Sequence, residues 1–136
     1  PDVGRRVERV RYLAYTLERA VAGGPLRDRL AAATVYVLLT GSRCAAALDW
    51  TIAEAAAGGA GVFQLREKTL SDRDLLARAR DVRRWTRDAG ALFIVNDRPD
   101  VARLCDADGV HLGQDDLPLA AARRVLGTNA LVGVST

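Results

Sequence analysis

Methionine is absent from the sequence, and lysine and histidine occur once each, as Lys68 and His111. The missing initiator Met predicts that the chain begins inside a longer gene product. Aromatic residues are only 5% of the chain, which favours helices packed on strands over an aromatic-rich β-sandwich. Hydrophobic residues make up 49% and charged residues 27% of the 136 residues, which is the balance of one globular domain with its own core.

Cysteine is also scarce, with only Cys44 and Cys105 present. Neither belongs to a C-x-x-C pair or to a Cys/His spacing typical of a metal site. A disulfide is not suggested, so we expect a reducing compartment, the cytoplasm. No apolar run reaches the length of a membrane span, and the charged N-terminus has no signal-peptide core, so no membrane association is predicted.

The positive charge is concentrated near the N-terminus. The net charge is +3 and the pI about 9.3, but residues 1–33 hold seven Arg against four acidic residues, and the remainder is balanced at 13 basic against 13 acidic. Because this excess is local, mixed with acids and not interleaved with aromatic residues, we expect no nucleic-acid partner.

Hydrophobic periodicity divides the chain at about residue 33. Residues 3–22 have the spacing of an amphipathic helix, and residues 26–33 predict a second, short helix. Further along, short apolar runs alternate with helical stretches. The predicted strands are 34–40, 61–66, 91–97, 107–113 and 130–136, and the helices between them are 46–59, 71–90, 99–104 and 117–127. This alternation predicts a parallel sheet, in either an open doubly wound sheet or a (β/α)8 barrel.

Polar residues follow every predicted strand at its C-terminal end, where barrel enzymes carry their chemistry. No G-x-G-x-x-G follows the first strand, which weakens a dinucleotide-binding interpretation. We therefore predict an α/β fold: a (β/α)8 TIM barrel whose first five strands and four helices occupy residues 34–136, preceded by a helical extension over residues 1–33. A whole barrel needs about 250 residues, so we expect either a fragment or a half-barrel that pairs through its exposed sheet edges. The polar residues at these strand ends are Thr40, Gln64, Arg66, Lys68, Asn96, Asp97, His111, Gln114, Asp115, Asp116, Ser135 and Thr136.

Gln64, Arg66 and Lys68 stand at alternate positions, so their side chains are expected on one side of the strand, facing the barrel mouth. Two cations and an amide directed at one volume suit a phosphorylated anion, for which Arg offers a planar fork and Lys a point charge. The alternative is a strand end whose charges are solvated, with Glu67 as an ion-pair partner.

Two carboxylates, Asp97 and Asp116, are predicted at the ends of neighbouring strands, with Asn96 beside the first. Oxygen ligands of this kind suit Mg²⁺, which usually keeps waters and shares phosphate oxygens of a substrate. The alternative is that each Asp, or Asp115, caps the helix that follows it.

His111 lies on an apolar strand and is either a packed core residue or a general base, with the structural role favoured. Ser135 and Thr136 end the last strand, where a hydroxyl could donate to a substrate oxygen or begin a turn. The sequence contains no supported Ser-His-Asp or Cys-His arrangement for nucleophilic catalysis.

Four segments, read in order, resemble thiamine phosphate synthase: "GVFQLREK", "IVNDR", "ADGVHLGQDDLP" and "LVGVST". The resemblance extends over about residues 34–136. It implies a (β/α)8 barrel that joins hydroxymethylpyrimidine diphosphate to hydroxyethylthiazole phosphate, releases diphosphate and uses Mg²⁺. It implies small-molecule substrates rather than nucleic acid or membrane, and it leaves a homo-oligomer open. Residues 5–33 are similar, more weakly, to the end of a helical extension of some bacterial synthases.

The resemblance also implies individual roles. Catalytic roles fall on Lys68, Arg66 and Ser135. The magnesium ligands are Asp97 and Asp116. The residues that contact the pyrimidine diphosphate are Gln64, Arg66, Lys68, Asn96 and Ser135.

The family's later Gly-Pro segment and T-x-T-K motif do not occur in these 136 residues. Half of the implied active site is therefore missing, and we expect the 136-residue chain alone to be inactive. Two alternatives stay open. One is a thiazole tautomerase-like paralogue, for which the Q-x-R-x-K pattern is dispensable. The other is a non-catalytic half-barrel assembly module.

Overall fold

A computed structural model describes residues 24–136, and the helix predicted over residues 3–22 lies outside them. Every strand and helix predicted after residue 25 is present, with ends within two residues of those expected. One turn of 3-10 helix, Gly41–Arg43, was not predicted. In chain order the elements are α1 Pro25–Ala32, β1 Val35–Leu39, α2 Leu48–Ala57, β2 Ala60–Leu65, α3 Asp72–Asp88, β3 Leu92–Asn96, α4 Pro99–Leu104, β4 Gly109–Leu112, α5 Leu119–Leu126 and β5 Leu131–Val134.

The strands form one parallel sheet whose spatial order is the chain order, β1-β2-β3-β4-β5. A doubly wound sheet reverses its strand order at a switch point, and this sheet does not. The order is that of successive strands in a (β/α)8 barrel, so the predicted fold class is confirmed. Within residues 24–136, β1 and β5 each pair with one strand only.

One face of the sheet is covered by helices α2 to α5. The buried strand residues on this face include Phe63, Phe93 and Val110, and helix residues such as Ile52 and Val82 pack against them. Helix α3 is amphipathic, and its N-cap residue is Ser71, whose hydroxyl accepts from the backbone N–H of Asp74 at 3.2 Å. This face is the outer layer of the barrel.

Among the described residues, the other face is covered only near the N-terminal ends of its strands. Val62, Ile94 and Leu131 form a second apolar cluster there, and Leu26 and Leu30 of α1 pack against it. Strand alternation places the polar residues near the C-terminal ends of the strands on the same, inner face. Helix α1 thus fills the N-terminal end of the inner face and leaves the C-terminal end open as the barrel mouth.

A buried ion pair ties α3 to the sheet. Asp108, 7% exposed, accepts from the Arg83 guanidinium at 2.8 and 3.3 Å and from the Phe93 backbone N–H at 2.8 Å. Asp108 precedes β4, so this pair lies at the opposite end of the sheet from the barrel mouth. Cys44 and Cys105 are both free thiols. In residues 24–136 no helix has the length and apolar character that crossing a bilayer requires.

Candidate active site

The basic side of the site follows strand β2. Arg66 and Lys68 are both exposed, whereas Glu67 between them is largely covered. The Arg66 backbone N–H donates to the Leu39 carbonyl at 2.8 Å, and the Thr40 hydroxyl donates to the Arg66 carbonyl at 2.9 Å. The end of β1 therefore holds the segment that carries both cations.

The acidic side of the site comes from the loops after β3 and β4. Asp97 has a φ of 65°, in the left-handed region that non-glycine residues seldom adopt, and its backbone N–H donates to the His111 carbonyl at 2.7 Å. The carboxylate of Asp116 accepts from the Gly113 backbone N–H at 2.6 Å. Hydrogen bonds with backbone groups thus hold both residues: Asp97 through its own N–H, and Asp116 through its carboxylate.

The basic and acidic sides meet. The Lys68 ammonium forms an ion pair with the Asp97 carboxylate, although the two residues are 29 positions apart in the chain. Burial raises the pKa of Asp97, but the hydrogen bond from Lys68, with a further contribution from Asp116, outweighs burial and holds the pKa below its usual range. The positive charge of Arg66 acts on this pKa in the same direction. Lys68, Arg66, Asp97 and Asp116 therefore belong to one electrostatic cluster.

His111 lies beside this cluster. Its Nε2 is 2.8 Å from the Ser135 hydroxyl oxygen, across the β4–β5 pair. Burial lowers the pKa of His111, and the nearby charges of Asp97 and Asp116 oppose that shift only in part. Burial therefore favours the neutral imidazole, and its Nε2 donates to or accepts from the Ser135 hydroxyl according to tautomer.

Gln64 and Asn96 complete the inner face of the mouth. Gln64 is 3% exposed, and its side-chain amide donates to the Tyr36 hydroxyl at 2.7 Å. Asn96 ends β3 and pairs in register with His111. The sequence did not single out Tyr36, because nothing in a run of apolar strand residues marks a hydroxyl that contacts the neighbouring strand.

The helix-capping alternative for the carboxylates is wrong. Helix α4 has Arg98 at its N-cap position and α5 has Pro118, and neither helix has a side-chain cap. Asp97 instead pairs with Lys68 and Asp116 with the Gly113 backbone N–H, and carboxylate oxygens are ligands that Mg²⁺ prefers. Across residues 24–136, no three His, Cys, Asp or Glu side chains group closely enough to hold a metal ion by themselves. These two carboxylates could hold a Mg²⁺ only together with water or other oxygen ligands.

Comparison with known proteins agrees with this geometry. The family model described as thiamine monophosphate synthase, TMP-TENI, matches residues 35–136. The chain belongs to this family. The matched residues include every strand and helix described above except α1.

Individual relatives support the assignment. The chain is 47% identical over all its 136 residues to thiamine-phosphate synthase of Gloeobacter violaceus and 40% identical to that of Synechocystis sp., in each case covering 39% of the relative. It is 60% identical over 81 residues, 60% of this chain and 38% of the relative, to thiamine-phosphate synthase of Methanoculleus marisnigri. The chain therefore spans about two fifths of the length of the curated relatives it matches.

A solved structure supports the same family assignment. Thiamine phosphate pyrophosphorylase from Pyrococcus furiosus superposes with a TM-score of 0.66 at 38% identity, over 74% of this chain and 48% of that protein. The matched part of this chain is thus similar in fold to about half of that protein.

Proposed function

We propose that the protein to which this chain belongs is a thiamine phosphate synthase, a transferase that joins hydroxymethylpyrimidine diphosphate to hydroxyethylthiazole phosphate. The observation that carries the proposal is the ion pair of Lys68 with Asp97 at the barrel mouth, where Asp97 also interacts with Asp116. A cation next to a pair of carboxylates suits a diphosphate that is bound together with a metal ion.

The reaction needs a leaving group to be stabilised more than it needs a base. The bond between the pyrimidine methylene carbon and the diphosphate oxygen breaks, and its electron pair leaves with the diphosphate. The thiazole nitrogen supplies its lone pair to form the new carbon–nitrogen bond. Because this nitrogen carries no proton, no general base is required, and positioned cations contribute by stabilising the charge on the departing diphosphate.

The residues at the barrel mouth have different roles in this reaction. Arg66 and Lys68 bind diphosphate oxygens, and Ser135 donates a hydrogen bond to the leaving group or the pyrimidine. Gln64 and Asn96 bind the pyrimidine diphosphate from the inner face. Asp97 and Asp116 would hold Mg²⁺, which when bound supplies further positive charge to the diphosphate oxygens.

Asp97 tests this proposal. In the full-length protein, incubated with both substrates and Mg²⁺, we expect release of diphosphate and formation of thiamine phosphate. Asp97→Asn should lower the rate by a factor of about 10² or more, on the scale found when one stabilising group of an active site is removed. The matched control is Asp100→Asn, which alters a carboxylate three residues further on that pairs with Arg98 instead.

The two alternatives predict other results. A thiazole tautomerase-like protein would act on the thiazole phosphate alone and would not bind the pyrimidine diphosphate. A non-catalytic assembly module would bind neither compound, and its mass by size-exclusion chromatography would be that of an oligomer. Calorimetric titration with pyrimidine diphosphate and Mg²⁺ separates both from the synthase.

A further inference from the structure

Glu67 stands between the two cations that follow β2, yet it points away from the mouth. Only 4% of its side chain is exposed. Its Oε1 accepts from the Gly41 backbone N–H at 2.7 Å and from the Arg78 guanidinium at 2.9 Å. One carboxylate oxygen thus connects the loop after β1, the segment after β2 and helix α3.

Gly41 has no room for a side chain at this contact. A Cβ atom there would overlap Arg78 Nη1 and lie 2.9 Å from Glu67 Oε1. A side chain at position 41 would therefore force Arg78 or Glu67 to move out of this contact. A buried carboxylate is costly unless it is paired and hydrogen-bonded, and here one oxygen meets both conditions.

The contact also determines the direction of the neighbouring side chains. Successive side chains of an extended segment point to opposite sides. With Glu67 held on the outer side, Arg66 projects to the other side, and the Thr40 hydroxyl holds the carbonyl of Arg66 at 2.9 Å. We propose that Glu67 is a positioning residue, which with Gly41 and Arg78 holds Arg66 and Lys68 towards the mouth. This inference rests on the proposed anion-binding role of those two cations.

Binding of inorganic diphosphate in the presence of Mg²⁺ gives the first test, by calorimetry on the full-length protein. Glu67→Gln keeps an oxygen for the Gly41 N–H but loses the ion pair with Arg78. We expect its dissociation constant to rise about tenfold, which corresponds to about 1.4 kcal/mol. Asp81→Asn is the matched control, because it removes an exposed ion pair with Arg84 from the same helix. It should leave the dissociation constant unchanged.

A double-mutant cycle separates positioning from general stability. If Glu67 acts through Arg66 and Lys68, the effect of Glu67→Gln should shrink in a background that carries both Arg66→Ala and Lys68→Ala, because the cations that it positions are gone. Arg78→Lys keeps the positive charge, so this variant should retain more of the affinity for diphosphate than Arg78→Gln does. An equal effect of Glu67→Gln in both backgrounds would overturn the proposal.

Hydrogen exchange tests whether Glu67 holds the Arg66 segment in place, even if the proposed function is wrong. Absence of diphosphate binding by the unaltered protein would count against the synthase assignment, not against the contact made by Glu67. In the ligand-free protein, Glu67→Gln should speed exchange of the Arg66 backbone N–H, which is bonded to the Leu39 carbonyl. Unchanged exchange there would show that the segment needs no such contact.

Discussion

The Lys68 ammonium is paired with the Asp97 carboxylate, so that each neutralises the charge of the other. In the proposed reaction Lys68 binds the diphosphate and Asp97 binds Mg²⁺. Because Mg²⁺ at Asp97 would release Lys68 for the diphosphate, and the diphosphate would release Asp97 for Mg²⁺, the two should bind cooperatively.

Lys68→Arg tests whether the only lysine has a specific role. A guanidinium is larger and planar, whereas the ammonium is a compact point charge beside Asp97. We expect kcat/KM of the full-length protein to fall at least about tenfold. Unchanged kinetics would mean that the single lysine is an accident of composition.

The pKa of Asp97 should depend on Lys68. In Lys68→Gln the carboxyl loses a hydrogen bond and an opposite charge, so its pKa should rise towards the ordinary value, as measured by carbon-13 NMR titration. Asp100, whose pKa is lowered chiefly by its hydrogen bond from Arg98, is the internal control and should not move.

The lowered pKa of Asp97 also determines how the stability of the fold depends on pH. The folded-state pKa of Asp97 lies below its unfolded value of about 3.9, so the stabilisation is present above that pH and is lost as the pH falls through the folded-state pKa. Lys68→Gln should therefore lose less stability on acidification than the unaltered protein. An equal loss in both proteins would contradict the importance of the pair.

Gly133→Ala should disturb His111. A Cβ at Gly133 would lie 2.7 Å from His111 Nδ1, which is too close for the imidazole to stay in place beside Ser135. We expect a loss of about 1–3 kcal/mol in the free energy of unfolding, measured with urea. Gly58→Ala is the control, because its Cβ would make ordinary contacts at 3.4 and 3.5 Å. Combining Gly133→Ala with His111→Ala should remove most of the penalty, and a full penalty in that background would exclude the imidazole as its cause.

Asp108→Asn should destabilise the fold without touching the mouth. It breaks a buried pair with Arg83, in which the two side chains are 8% and 17% exposed respectively. Breaking such a pair costs about 3–5 kcal/mol, since an uncompensated charge stays buried. Denaturant unfolding of Asp81→Asn, whose ion pair is exposed, should show a change of at most about 1 kcal/mol. Similar losses in the two variants would mean that the burial of Asp108 contributes nothing.

The periodicity of the sequence was enough to predict the strands, the helices and the end of the sheet that carries the polar residues. Each of these depends on neighbours close in the chain. The apolar run 91–97 is an example, because a short continuous apolar segment is recognised from residues that are adjacent in the chain. The resemblance of four short segments was likewise enough to predict the family.

The sequence favoured a barrel over an open doubly wound sheet, but only the tertiary structure showed the strand order that distinguishes them, because strand order is a relation between elements that periodicity does not contain. It also decided which site residues meet. Lys68 pairs with Asp97 from another strand, Gln64 donates to Tyr36, and Glu67 is buried against Arg78 although it stands between two exposed cations. Alternation predicted the side on which Glu67 points, but its partners come from a loop and a helix that approach it only when the parallel strands pair and the helices pack against them.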